Sequence, residues 1–514
     1  MNRIVILLAF FLTVTFLKAQ DIIGQWNGDL SVWQIQGEKK LRLFFHIIKD
    51  ANGYSATMDS PDQGSAGIPV TTTTFDGSEL SLVISNYGIS YKGEFKTDSI
   101  VGTFKQAMLI VPMTLKRKTE SLSQKEIEAL KKYIYPLRTY EPDGGDTKDI
   151  RVLDKLIGSS KVVALGEVSH GSNEIYKMKN RIIQYLAAND GFDIFSIEAN
   201  MPESYKLNDY TVRGEGDPKK LIRGMYFWTW ATKEMLNMVE WMRNFNQLKQ
   251  HIEFTGFDMQ YYDGSIDELL KMFKGNEEVE NKITELKKTL DVIRTRAKQK
   301  RGIVDVDDNE MKEIDLIMSF LQNSIETSIL QTSDKEWLQQ NIVIIRQFLG
   351  LKNIPWRDKC MADNFMWIKE HNPNSKFIIW AHNAHIQKTY QMMGYYLTQK
   401  LGNDYTTFGF TFFDGNFTAT GSNGLTSYEA AKADPGTLEY LLNQLNEPIF
   451  ILDLKKIKSE NNKETEWLLD RLAYRSVGAV GGESDFHRIK ITDDFDYLIF
   501  IKTSTPSTRF PDTW

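Results

Sequence analysis

Two spacings of hydrophobic residues divide the chain. Between residues 21 and 117, short runs alternate apolar and polar positions, as at 41–48, 79–84, 89–95, 100–104 and 109–115, with turn residues between them. A period of two marks half-buried strands, so this part predicts antiparallel strands in a small barrel or sandwich. A helical stretch is predicted at about 124–134, and beyond it the pattern changes. Apolar runs at 162–166, 194–197, 252–257, 377–381, 406–413, 449–454 and 497–502 now alternate with helix-period segments, the signature of βαβ units. From 263 to 350 the pattern is almost wholly helical, with Ile283, Leu286, Leu290 and Ile293 at coiled-coil-like spacing. This segment predicts a helical hairpin inserted in, or packed beside, the α/β part, acting either as a cover over a site or as plain structure.

The expected fold is therefore α/β: a mixed or mainly parallel sheet flanked by helices, with a helical insertion, preceded by a small all-β barrel-like domain. At 514 residues the chain exceeds what one core usually spans. The expected domains are a barrel-like unit at 20–118 and an α/β unit at 119–514, the latter carrying the 263–350 insertion. Residues 1–19 read as a secretory signal: Arg3 supplies the positive start, residues 4–17 the apolar region, and Leu17-Lys18-Ala19 a cleavage site. Such a run is short for a membrane span, and no later segment is long enough for one. A periplasmic or secreted protein without an integral membrane segment after signal removal is expected.

Charge adds little beyond an exclusion. The 68 acidic and 62 basic side chains are spread along the sequence, so no basic stripe argues for a nucleic-acid partner. Cys360 is the only cysteine, which rules out an internal disulfide.

Candidate chemistry gathers where four of the apolar runs end. The first leads to Glu167 and His170, the second to Glu198, the third to Asp258, and the fourth to His382 and His385. In open α/β sheets the carboxyl ends of parallel strands share one edge, where ligands bind. In Gly166-Glu167-Val168-Ser169-His170-Gly171-Ser172-Asn173-Glu174, a strand end, a turn and a helix start place His170 on a loop within reach of Glu167. A carboxylate on one imidazole nitrogen fixes the tautomer and raises basicity at the other. The plainer alternative is a polar loop that caps the next helix, as Ser172 could. Strand-end carboxylates such as Glu198 and Asp258 also often serve as caps. His382-Asn383-Ala384-His385 suits oxyanion stabilisation, protonation of a leaving group or metal binding, and the same histidines and carboxylates could make a zinc or manganese site. No His-Glu-x-x-His pattern, Gly-x-Ser-x-Gly elbow, phosphate loop or dinucleotide fingerprint is present. Tyr226-Phe227-Trp228-Thr229-Trp230 fits core packing first and the floor of an apolar substrate pocket second. In the first part, His46 sits in an apolar strand and reads as structural.

At these residues, over about 163–503, the chain resembles the erythromycin esterase family. The matching motifs are the 166–174 segment, Ile197-Glu198-Ala199, Phe227-Trp228-Thr229-Trp230 with Val239-Glu240-Trp241-Met242-Arg243, Gly256-Phe257-Asp258, Arg357-Asp358 with Met361 and Asn364, and Trp380-Ala381-His382-Asn383-Ala384-His385. The resemblance implies a hydrolase that opens macrolide lactones without a metal, as in antibiotic resistance. It puts the catalytic positions on Glu167, His170, Glu198, His382 and His385. A further family position, an arginine nine residues after the first histidine, is Lys179 here. Lysine keeps the charge but loses the planar fork, which weakens the case for macrolides as the specific substrate. Residues 21–117, with Met58-Asp59-Ser60-Pro61-Asp62-Gln63-Gly64, resemble an accessory β-barrel domain of exported bacterial hydrolases.

The expected function is thus an exported, metal-independent hydrolase of a small-molecule ester or lactone, with no cofactor. Lys179, Glu174, Trp228, Trp230 and Asp258 are its substrate-binding candidates. A metal-dependent hydrolase using the same cluster and a non-catalytic small-molecule-binding protein are the alternatives.

Overall fold

The computed structural model describes residues 22–511 apart from 35–36, 51–52, 64, 97–98, 118–120, 143–144, 249, 301 and 482–484. The leader-like residues 1–19 and Gly64 thus lie outside the described residues. Backbone contacts divide the chain into two compact units at residue 120.

In the first unit, the period-two pattern becomes a nine-stranded half-barrel made of β1 (Gly24–Gln34), β2 (Gly37–Asp50), β3 (Gly53–Ser60), β4 (Ser65–Pro69), β5 (Thr72–Phe75), β6 (Glu79–Ile84), β7 (Ile89–Lys96), β8 (Ser99–Gln106) and β9 (Leu109–Arg117). The spatial order is β4-β3-β2-β1-β9-β8-β7-β6-β5, antiparallel throughout. One side chain in two turns inward, and Trp26, Phe45, Leu80, Tyr91, Ile100 and Leu115 fill the concave side. His46 Nε2 lies 2.8 Å from Asp59 Oδ2, and Asp59 Oδ1 accepts the Gly67 amide, so the pair ties β2 to β3 and β4.

The second unit is built on β10 (Ile134–Pro136), β11 (Val162–Leu165), β12 (Ile194–Asn200), β13 (Glu253–Asp258), β14 (Phe377–Trp380), β15 (Tyr405–Ala419), β16 (Thr426–Glu429), β17 (Ile449–Asp453), β18 (Leu472–Arg475), β19 (Phe486–Ile489) and β20 (Tyr497–Ser504). Its main sheet runs β10-β17-β20-β15-β11-β14-β12-β13, with β16 paired to β15, while β18 and β19 form a separate hairpin. Strands from β20 to β13 are mutually parallel; β17 runs against β20 and β10 against β17. Alternate residues along a strand enter different cores. Val163, Leu165, Ile378 and Trp380 belong to one, and Val162, Ala164, Phe377 and Ile379 to the other. Helices therefore cover both faces, which is why these strands read as unbroken apolar runs.

Two expectations change. The helix expected at 124–134 ends at Leu130, and a tight turn leads into the edge strand β10. The hairpin expected at 263–350 is four helices, Asp263–Met272, Glu277–Gln299, Asp308–Thr327 and Thr332–Leu349. The breaks follow local chemistry: Asn276 caps the second helix through the Val279 amide, and Asp307 forms a reciprocal capping box with Glu310 on the third. Ile283, Leu286, Leu290 and Ile293 are fully buried in a core of their own. Among the described residues, no helix is long and apolar enough to cross a membrane.

Candidate active site

The parallel arrangement brings the ends of β11, β14, β12 and β13 side by side, and the expected residues assemble there in two linked groups. Glu167 follows β11 and is fully buried. Its Oε1 lies 2.6 Å from His170 Nδ1, while Oε2 accepts hydrogen bonds from Lys179 Nζ at 2.9 Å and Trp380 Nε1 at 2.6 Å. Burial alone would raise the Glu167 pKa, but the Lys179 charge and the His170 bond outweigh it and bring it down to about 2. Lys179, also fully buried, sits 4.0 Å above the Trp380 ring, and burial pulls its ammonium down to about 7 against the pull of Glu167. With Nδ1 engaged by the carboxylate, His170 keeps Nε2 for a reacting group. Its backbone is fixed as well: the carbonyl accepts the Tyr176 hydroxyl, which also donates to Thr229 O. Ser172 holds the N-cap position of helix Asn173–Asn189 without a side-chain cap, and its hydroxyl accepts from Ser504 instead.

The second group centres on Arg357, in the first turn of helix Ile354–His371. Its guanidinium forks onto Asp258, with Nε 3.1 Å from Oδ1 and Nη2 2.7 Å from Oδ2, and Nη2 also reaches Glu198 Oε1 at 2.7 Å. Asp258 and Glu198 more than offset burial and hold that guanidinium charged. Glu198 Oε2 accepts the His382 amide at 2.8 Å. Burial opposes its charge, yet His385 and Arg357 push its pKa well below the usual carboxylate range.

The two histidines of the β14 turn differ. His382 Nδ1 accepts the Ala384 amide, which places its proton on Nε2, 3.4 Å from Val168 O. Burial, with His170 and His385 close by, lowers its pKa to about 3, so the ring is neutral. Ring centroids of His170 and His382 are 5.0 Å apart, which joins the two groups. His385 Nδ1 contacts Asp358 Oδ1 at 2.8 Å, and its Nε2 lies 3.2 Å from Glu198 Oε1 and 3.1 Å from Arg357 Nη1. Burial opposes charge there too, but Glu198 and Asp358 raise the pKa to about 10. A protonated Nε2 donates to Glu198; a deprotonated one accepts from Arg357.

The remaining candidates lie around this centre. Trp230 packs edge-on to Trp380 in the core, which gives Glu167 an apolar backing. Trp228 is half-buried in the preceding turn. The Glu174 carboxylate is occupied by Thr505, accepting from its amide and its hydroxyl at 2.6 Å each. Arg357, Asp358 and Trp380 carry roles that sequence reasoning left unassigned, although all three stand in the motifs quoted for the resemblance. A cleft of about 330 Å³ beside Asp146, Arg181 and Trp241 shares no lining residue with this centre.

The family model for erythromycin esterase matches residues 187–504, which include Glu198, Asp258, Arg357, His382 and His385. YbfO of Bacillus subtilis (strain 168), provisionally named a hydrolase, is 23% identical over 410 residues, covering 71% of this chain and 89% of that protein. Erythromycin esterase type II of Escherichia coli is 26% identical over 338 residues, covering 55% and 76%. Among solved structures, a Bacillus cereus protein superposes with a TM-score of 0.65 at 24% identity, covering 75% of this chain and 99% of its own. A variant of the erythromycin esterase EreC in its open conformation superposes with a TM-score of 0.56 at 16% identity, covering 72% and 98%. With more than half of its length matched by one family model, the chain belongs to the erythromycin esterase family.

Proposed function

We propose that this hydrolase is exported and acts without a metal on a carboxylic ester or lactone, with His170 activating water. The observation that carries the reading is the Glu167–His170 contact at 2.6 Å, which commits Nδ1 and leaves Nε2 as the base. Nε2 takes a proton from water as the oxygen adds to the carbonyl carbon. Negative charge then develops on the former carbonyl oxygen, where the neutral His382 offers an Nε2–H donor. Collapse of the tetrahedral adduct breaks the bond to the leaving oxygen, and His385 Nε2 gives it a proton. Arg357 Nη1, 3.1 Å away, satisfies the lone pair so exposed. Arg357 and the protonated His385 bring positive charge into the centre, which supports chemistry independent of a metal. Macrolide lactones fall within the proposed class, and export rests on the leader-like residues 1–19.

The test is hydrolysis of a panel of macrolides and simple esters, with and without chelator, by the wild type and His170→Ala. Chelator-resistant turnover is expected, lowered by about two to four orders of magnitude in the variant. Wild-type rates in a folded His170→Ala protein would overturn the mechanism. Chelator-sensitive turnover would favour a metal site, and tight ligand retention without turnover a binding protein.

A further inference from the structure

Residues 476–481, between β18 and β19, belong to none of the motifs discussed so far, yet they run directly against the histidine pair. Both feet of the segment are held by Arg475, which is fully buried. Its Nη1 lies 3.0 Å from Asp485 Oδ2, Nε donates to Phe412 O, and Nη2 donates to Phe413 O and Ala431 O. The Ser476 amide closes the base of the segment on Asp485 O at 2.6 Å. On the site side, the amides of Val477 and Gly478 donate to Val168 O at 2.9 and 3.2 Å, and the His170 amide donates back to Gly478 O at 3.2 Å. On the other side, the Thr420 amide and hydroxyl both donate to Ala479 O at 2.9 Å, and the Gly481 amide donates to Thr420 O at 2.7 Å. Gly478 has φ 69°, and a methyl on its Cα would stand 4.0 Å from His382 Nε2. Between these pinned residues, Val480 remains 46% exposed.

A backbone fastened on both sides costs little further ordering when a ligand binds, and an apolar side chain left exposed two residues along from Gly478, which borders His382, favours apolar substrate surface. We propose that residues 476–481 form a specificity strap in which Val480 contacts the group flanking the scissile ester, so that the enzyme prefers esters with an apolar acyl chain to short ones. The proposal rests on the hydrolase reading of His170.

The experiment compares wild type, Val480→Ala and Val480→Asp on p-nitrophenyl valerate and p-nitrophenyl acetate. In parallel, calorimetry measures affinity for the two corresponding anilides, which bind without ester turnover. The ratio of kcat/KM for valerate over acetate is expected to fall about tenfold in Val480→Asp and less in Val480→Ala, with a matching selective loss of affinity for the valeryl anilide. A ratio and a relative anilide affinity within twofold of wild type in both variants would overturn the strap's role. So would a wild type that binds the two anilides equally. If no ester is turned over but valeryl anilide affinity still falls selectively, the hydrolase reading fails and the strap stands.

Discussion

His382 and His385 stand three positions apart, yet their surroundings drive their rings in opposite directions. Two acidic neighbours raise His385 to about 10, so its stabilising charge is complete below the ordinary histidine value near 6.5 and is lost as pH rises from there through about 10. His382 is lowered to about 3, so the folded state favours its neutral ring. That contribution is present above about 6.5 and is lost as pH falls towards 3. Glu167, lowered to about 2, adds a second acid-side loss below its ordinary value. Thermal unfolding measured across pH should therefore separate two variants. His385→Gln should flatten the alkaline decline in melting temperature, and His382→Asn, which keeps a capping acceptor, should flatten the acid decline. Curves parallel to wild type on both limbs would show that these rings do not titrate as their partners dictate. The same contrast explains the limits of the sequence at this scale. Glu167, His170, Glu198, Asp258, His382 and His385 end apolar runs and were legible there. Arg357 and Asp358 sit in a helix where adjacent opposite charges look solvated, and only their contacts with Asp258, Glu198 and His385 reveal their part.

Between elements, the Asn364 amide is one of the ties that fasten the helical insertion to the sheet. Asn364, fully buried, accepts from Gln340 and Gln347 through Oδ1 and donates through Nδ2 to Phe257 O and Gln347 Oε1, all at 2.9–3.0 Å. It links helix Thr332–Leu349 to helix Ile354–His371, which bears Arg357, and to the end of β13, next to Asp258. Asn364→Leu leaves several buried groups unpaired and should lower unfolding free energy by about 3 kcal/mol or more. Urea denaturation is the measurement, and an unchanged midpoint would mean that the network carries no stability. At this scale, strands β11, β12, β13 and β14 were readable as apolar runs because both faces are covered. The strap was not readable, because Ser476-Val477-Gly478-Ala479-Val480-Gly481 has the composition of an ordinary turn, and β10 was hidden behind a helix-like stretch. Gly171 shows how tightly elements meet: a methyl there would lie 2.0 Å from Thr418 O, so the turn bearing His170 admits no side chain at that position.

For the whole molecule, the two units each bury an apolar core of their own. A chain starting at Ser121 should accordingly unfold in a single cooperative transition and show a helix-rich circular dichroism spectrum; a non-cooperative melt or a coil-like spectrum would show that the half-barrel is required for folding. Hydrophobic spacing changes close to residue 120, where backbone contacts divide the chain into its two units. The count of four insertion helices was not legible, because caps such as Asn276 and Asp307 are single polar residues within a long helical pattern. The parallel order of the sheet has one more consequence. Glu167, Glu198, Asp258, Arg357 and His382 are strangers along the chain, and no local segment brings them together before β14 has slotted between β11 and β12. Contacts between distant segments form slowly. During refolding from denaturant, secondary structure should thus return first and catalytic turnover last, with the lag between the two signals timing the insertion of that central strand.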